Sequence, residues 1–319
     1  MKKLLSFIAS KTYLDDYQSR EDLTGLIQDL GLDGIELIRC QDKEDKVDLD
    51  LVKGVHLPFY TSWMDYAFYR DEDLLEEYGD WETVQSFYQV ERDKFYQYFL
   101  EDLDFAQAHG DYCVFHVNHV RSIDFLPQDY NHSSPEVIRG ACQVINQILE
   151  GRGEEGPLFL MENLYSPGLT FTDPHLTDAL LEGVAYKKKG FMLDTGHLMS
   201  TNSSLKNEDQ AWAYIEERVR AHGSLKKYFR GIHLHASVTG PIREYYRQNP
   251  PKLPEDFMDR FREIYQYIGQ IDTHGLALSD QARRVIDYIE PDYLVLEFKY
   301  QDRQDLVAKV KRQLGVLGY

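Results

Sequence analysis

A chain of 319 residues with 43% hydrophobic and 28% charged side chains has the composition of a folded globular protein, and it fits one large domain over 1–319. Its 35 Lys and Arg stand against 54 Asp and Glu, and the resulting charge of −19 opposes non-specific adhesion to nucleic acid or an anionic membrane. Part of that excess is what carboxylates reserved for cations would contribute.

The N-terminal MKKLLSFIAS has too short an apolar stretch for a signal peptide and runs into KTYLDDYQSRED, so it reads as a first strand over 3–9. An amphipathic stretch follows at 20–31. Strands are predicted at 34–39 and 54–58, joined by a weakly helical connection at 40–53. Residues 82–109 read as helix, 112–117 as strand, 134–150 as helix and 157–162 as strand. The alternation continues through helix 174–188, strand 190–194, helix 207–226 and strand 230–235. Helices at 255–271 and 279–290, a strand at 293–298 and a helix at 302–315 complete it. Strand–helix alternation predicts an α/β fold with a parallel sheet, and eight repeats predict a single closed (β/α)8 TIM barrel. A doubly wound sheet is the alternative, but no glycine-rich phosphate loop follows the first strand. Two connections are long, 59–81 after the third strand and 236–254 after the seventh. Both are aromatic, and both would lie at the barrel mouth as lids or specificity elements.

No apolar run approaches the roughly 20 residues of a membrane span. Cys40, Cys113 and Cys142 form no CxxC pair and no even-numbered disulfide framework, so a reduced, cytoplasmic setting is expected. Oligomeric state is left open.

Nine potential metal ligands fall at or just past the ends of short segments: His56, His116, Glu162, Asp194, His197, His233, Asp272, His274 and Glu297. Taken singly they mean little. His56 or His116 alone is more often a hydrogen-bonded core histidine, and Asp194 alone suits an Asx turn in DTG. Together, spread over most of the chain, they suggest one site built from many strand ends, which a parallel barrel collects at one mouth. Burying so many ionisable groups without cations would cost several kcal/mol per uncompensated charge. Imidazole and carboxylate without thiolate suit zinc, manganese or iron. Nine ligands exceed the needs of one ion, and clustered ions suit phosphoryl chemistry. His119, His235, Asn118 and Asn163 are expected as supporting or substrate-contacting residues. His109, His132, His175 and His222 read as surface histidines.

The motifs VHLPFY (55–60), FHVNH (115–119), MENLYSPG (161–168), LDTGH (193–197), GIHLHAS (231–237), IDTH (271–274) and LVLE (294–297) resemble those of the AP endonuclease type 2 / xylose-isomerase-like barrel superfamily, with the ligand pattern of the endonuclease IV family. The resemblance covers nearly the whole chain. It implies up to three zinc ions. His56 and His116 would hold one, with Glu162 bridging to a second. Glu162, Asp194, His233 and Glu297 would surround the second, and His197, Asp272 and His274 would hold the third. The pattern departs from that family at His235, which stands in place of an asparagine, and in the length of the 59–81 and 236–254 segments.

These readings lead to a metal-dependent hydrolase, a phosphoesterase, with Glu162, Glu297, His119 and His235 as candidate catalytic groups. A duplex-DNA enzyme needs several cationic phosphate contacts. Here the mouth-side basic residues are few (Arg39, Arg70, Arg121, Arg243 and Arg247), and Lys187–Lys189 precede a strand and so fall at the opposite end. Duplex nucleic acid is therefore not the expected partner, and a small phosphorylated molecule is. One related group in the superfamily cleaves a phosphoester of cobamides, and the Tyr-rich loops suit a bulky, cobamide-like ligand. Asn118, Asn163, Tyr60, Tyr245, Arg243 and Arg247 are candidate substrate contacts, within an aromatic cap that also draws on Trp63, Tyr66, Tyr69 and Tyr246. The alternative is a sugar or sugar-phosphate isomerase or epimerase using one divalent ion on Glu162, Asp194, His233 and Glu297, with Glu162 and Glu297 shuttling protons. A non-catalytic ligand-binding barrel is a third class, against which the full ligand set argues.

Overall fold

The computed structural model describes residues 1–40, 46–59, 61–153 and 155–319. Eight parallel strands close into one barrel in sequence order: β1 (Lys2–Ile8), β2 (Gly34–Ile38), β3 (Val52–His56), β4 (Tyr112–His116), β5 (Leu158–Glu162), β6 (Lys189–Asp194), β7 (Phe229–Leu234) and β8 (Tyr293–Leu296). β1 pairs with both β2 and β8, which closes the ring. The eight strands expected from the sequence are these eight, with ends displaced by up to two residues.

Helices pack around the ring where the amphipathic stretches lie. Their starts are set by side chains that accept an otherwise orphaned amide: Ser19 from Asp22, Asn207 from Gln210 and Asp302 from Asp305. The expected helix over 82–109 is broken. Helix Trp81–Tyr88 ends at Gln89, whose φ of 57° is left-handed and cannot continue the turn, and the chain resumes as helix Gln97–His109 after a short 3-10 turn. Among the described residues of 40–53, only a 3-10 turn at Leu49–Leu51 is helical. The two long connections contain helices, Trp63–Ala67 and Asp71–Tyr78 after β3 and Gly240–Gln248 after β7, and the helix expected over 255–271 follows as Phe257–Ile271. No helix of the described residues is long and apolar enough to cross a membrane.

Strand side chains alternate between the barrel interior and the helical layer. Leu4, Tyr112, Val114, Leu160, Met192 and Val295 form a dry interior cluster, each wholly buried. Filling such positions with aliphatic groups contributes about 1.5–3 kcal/mol each. Two residues further along, the same inward face carries His116 after Val114, Glu162 after Leu160, Asp194 after Met192 and Glu297 after Val295. The pairing register sets these side by side, His116 opposite Glu162 and Asp194 opposite His233. A hydrophobic lower layer thus carries a polar upper layer at the C-terminal mouth.

Candidate metal centre

Three contiguous groups of candidate ligands form at this mouth. In the first, His56 Nε2, His116 Nε2 and Glu162 Oε2 face one another at 3.0, 3.3 and 3.2 Å. Donor atoms bound to one zinc at 2.0–2.1 Å in tetrahedral geometry stand roughly 3.3 Å apart, so this triangle has the size of a coordination face. His56 Nδ1 donates to the Leu57 carbonyl at 2.9 Å, which leaves the Nε2 lone pair turned inward.

Glu162 also reaches the second group, in which its Oε1 lies 3.2 Å from His233 Nδ1. Asp194 belongs to the same group, and Glu297 Oε2 stands 3.0 Å from that same His233 nitrogen. The far nitrogen, His233 Nε2, faces the Glu36 carboxylate at 2.9 Å. Tyr112 Oη donates to Glu36 at 2.7 Å. Gly54 makes room for that phenol, because a Cβ there would lie 2.2 Å from Tyr112 Cζ.

The third group holds His197, His235, Asp272 and His274. Asp272 Oδ2 receives His197 Nε2 at 3.2 Å and His274 Nε2 at 2.9 Å. The opposite nitrogens are each tied to a backbone carbonyl, His197 Nδ1 to Asn163 at 2.9 Å and His274 Nδ1 to Glu297 at 3.1 Å. His274 holds a left-handed backbone, φ 45°, beside a two-bond antiparallel bridge between Ala236 and Gly275. A non-glycine residue in that region is uncommon and is held by its surroundings. His235 lies flat on His274, ring centroids 4.0 Å apart at 8°, with Nε2 2.9 Å from Asp194 Oδ2. Gly196 makes room for this contact: it sits in the short helix Thr195–Ser200, where a Cβ would fall 2.0 Å from His235 Cε1.

The electrostatics fit cations. Glu162 Oε2, Glu297 Oε2 and His233 Nδ1 are buried and, despite the 3.0–3.3 Å contacts named above, make no hydrogen bond of good geometry, a costly arrangement unless a cation fills it. Burial opposes charge on Glu162, Glu297 and Asp272, yet the neighbouring imidazoles outweigh it and hold all three carboxyls well below the usual range. Burial likewise lowers His197, His233 and His274, and the carboxylates overcome it, pushing His274 up to about 9. His116 goes the other way, because burial dominates. The site therefore favours positive charge among ionised carboxylates.

Several expected contacts are placed elsewhere. His119 belongs to a separate buried group with Asp65 and His132. Its Nδ1 accepts the Met64 amide at 3.3 Å, and its Nε2 faces Asp65 Oδ2 at 3.2 Å. That amide leaves the ring proton on Nε2, the atom a metal would need bare, so this group is a clamp on the 61–78 segment. His132, expected at the surface, is its third member, 2.7 Å from Asp65 Oδ1. His222, also expected at the surface, is buried against Thr177 Oγ1 at 2.9 Å. Asn163 is consumed as a brace, its amide bonding both the N–H and the C=O of Asp194. Asn118 donates to Ser166 Oγ at 3.3 Å and lines the cavity beside the site.

The aromatic cap is a different object from the one expected. Trp63 and Tyr66 are buried, Trp63 donating to the Asn118 carbonyl at 2.7 Å and Tyr66 stacked on Tyr88 at 3.8 Å. Tyr245 and Tyr69 are exposed, Tyr246 donates to Gln270, and Tyr60 lies outside the described residues. Arg243 donates to the backbone carbonyls of Ser200 and Tyr165, and Arg247 pairs with Glu244 on its own helix. Both guanidinium groups are thus engaged within the protein. Glu36 and Asp65 were not singled out by the sequence pattern.

No protein-family model and no curated protein sequence matches the chain. Solved structures do. L-ribulose 3-epimerase is similar at 12% identity and a TM-score of 0.58, over 98% of this chain and 93% of that one. Endonuclease IV from Thermus thermophilus is similar at 13% identity and a TM-score of 0.54, over 100% and 99%. The IOLI protein with a binding zinc atom is similar at 13% identity and a TM-score of 0.53, over 100% and 95%. At such identities the likeness shows the fold alone, a closed eight-stranded parallel β/α barrel, and structures of that fold include an epimerase and an endonuclease.

Proposed function

We propose that this xylose-isomerase-like barrel is a metal-dependent hydrolase that cleaves a phosphoester of a small molecule at a di- or trinuclear centre. The supporting observation is that the candidate ligands fall into three adjoining groups, the first two sharing Glu162 and the third meeting the second where His235 Nε2 lies 2.9 Å from Asp194 Oδ2. A single-ion isomerase needs only Glu162, Asp194, His233 and Glu297. His56 and His116, with inward-facing Nε2 atoms 3.0 Å apart, and the His197–Asp272–His274 set have no evident use in it.

In this reading His56, His116 and Glu162 hold one ion. Glu162, Asp194, His233 and Glu297 hold a second, and His197, Asp272 and His274 a third, with His235 against it. Zinc suits the donors best, with manganese or iron as alternatives. Bound ions of this kind activate water and neutralise charge on the attacking and leaving oxygens. The chain's own residues set the geometry. Glu162 offers one oxygen to each of two groups. Glu36 turns His233 Nδ1 toward Glu162 and Glu297. His235 Nε2 bonds Asp194 Oδ2, while Asp194 Oδ1 accepts the His197 amide and starts the helix that carries His197.

The second reading, a sugar isomerase or epimerase, draws support from the L-ribulose 3-epimerase likeness, with Glu162 and Glu297 as proton carriers. Elemental analysis and a substrate panel separate the two. About two or three ions per chain, with chelator-sensitive hydrolysis of a generic phosphodiester restored by Zn²⁺ or Mn²⁺, is the expected result. About one ion, with sugar epimerisation and no hydrolysis, would overturn the proposal.

A further inference from the structure

His116, His197, Asp272 and His274 open onto a cavity of about 380 Å³. Away from these four, its exposed wall surface is mostly apolar. Phe59, Phe125 and Tyr165 line one part, and Phe261, Ile264 and Ile268 of helix Phe257–Ile271 another. Several polar groups in those walls are engaged with other residues of the protein. Arg121 is held by Asp124 and Glu76, each at 2.6 Å. Ser122 Oγ accepts from Arg260 at 2.8 Å, and Ser166 Oγ accepts from Asn118. Lys299 Nζ donates to the Asp272 carbonyl at 2.7 Å and places a positive charge at the polar end.

A bare polyol would lose water here and find few partners, which disfavours its binding. An apolar ring would lose nothing. Gly269 lines the cavity from the same helix, and a Cβ there would meet only Lys299 Nζ, 3.9 Å away, so a side chain at this position has room to enter the cavity.

Resting on the phosphoesterase reading, we infer that the substrate carries an apolar, aromatic substituent, which this cavity takes while its phosphorus lies at the His197–Asp272–His274 end. Helix Phe257–Ile271 is then the specificity element, rather than the tyrosines of Gly240–Gln248. This substrate class differs from both a simple sugar and the backbone of duplex DNA.

Calorimetric titration of the zinc-loaded protein with phenylphosphonate and with methylphosphonate tests this without turnover. Phenylphosphonate is expected to bind at least tenfold more tightly, since ring burial is favourable by area. Gly269→Leu, which fills the cavity from an open helix position, should bring that ratio toward one. Ile268→Asp should do the same by placing a charge in the wall, and it serves as the second variant if the first misfolds. Equal binding of the two phosphonates, no binding of either, or an unchanged ratio in both folded variants would overturn the inference. Failure of the esterase reading looks different: the phenyl preference would persist while no phosphoester is hydrolysed.

Discussion

Glu36 Oε1 stands 2.9 Å from His233 Nε2, wholly buried inside the barrel, one layer beneath the candidate ligands. The carboxylate settles which nitrogen of His233 turns toward Glu162 and Glu297. Outer partners of this kind typically carry a 10–100-fold share of metal affinity when removed. Glu36→Gln should therefore weaken zinc retention by about that factor, read by competition with a chromogenic chelator. Retention equal to the parent protein would show that the barrel walls alone orient His233.

Glu162 contributes to two groups, so Glu162→Gln should lower metal content and hydrolysis together. The measurement is metal per chain in the purified variant. Full occupancy would contradict the bridging role.

Gly196→Ala places a methyl group 2.0 Å from the His235 ring, which is itself pinned by His274 and Asp194. Overpacking of this kind costs about 1–3 kcal/mol. A melting temperature several degrees lower is expected, with weakened metal retention. An unshifted melt would mean that His235 has room to move.

The Asp65 clamp predicts a pH dependence. Burial alone would raise the Asp65 carboxyl, but hydrogen bonds from His119 and His132 outweigh it and hold the group well below its usual value. A group lowered on folding stabilises the fold fully above its unfolded pKa of about 3.9, and that contribution is lost progressively as pH falls from there through the much lower folded value. Asp65→Asn should therefore destabilise at neutral pH, with the gap to the parent protein narrowing below about pH 4. Parallel thermal melts at pH 7 and pH 3.5 check this. A constant gap would show that Asp65 acts through packing alone.

Duplex DNA should bind weakly at physiological salt, and abasic sites should be cut poorly. Arg121, Arg243 and Arg247 are all committed to partners within the protein, and the charge of −19 repels phosphate. A gel-shift and incision assay with an abasic duplex decides it. Efficient incision would make the chain a repair enzyme.

The barrel was legible because strand-like and helix-like segments alternate eight times and several strands end in a residue that breaks an apolar run, such as Glu162 after LFLM or Asp194 after FML. Glu36 was not, because GIELI reads equally well with its carboxylate on either face; only barrel closure decides that it points inward. Asp65 and His132 were not legible because Asp65 sits on a single-turn helix, Trp63–Ala67, too short to show a periodic face, and His132 lies in an irregular stretch ahead of a helix, where spacing carries no directional information. The cavity wall escaped notice for a related reason. The apolar stripe of Phe257–Ile271 has the same period whether it covers a core or faces a void.

The surroundings of that void are riveted on more than one side. Trp63 is bonded to the Asn118 carbonyl, and Asp65 is clamped between two histidines. Arg260, on the wall helix itself, donates to Ser122 Oγ and to the carbonyls of Glu77, Pro254 and Glu255. The shape that greets a ligand is thus already made when the chain folds. Ordering entropy has been spent in advance, so selection falls to fit at first encounter rather than to closure afterwards. A ligand of the wrong outline would be refused at entry, and a matching one would associate in a single kinetic phase.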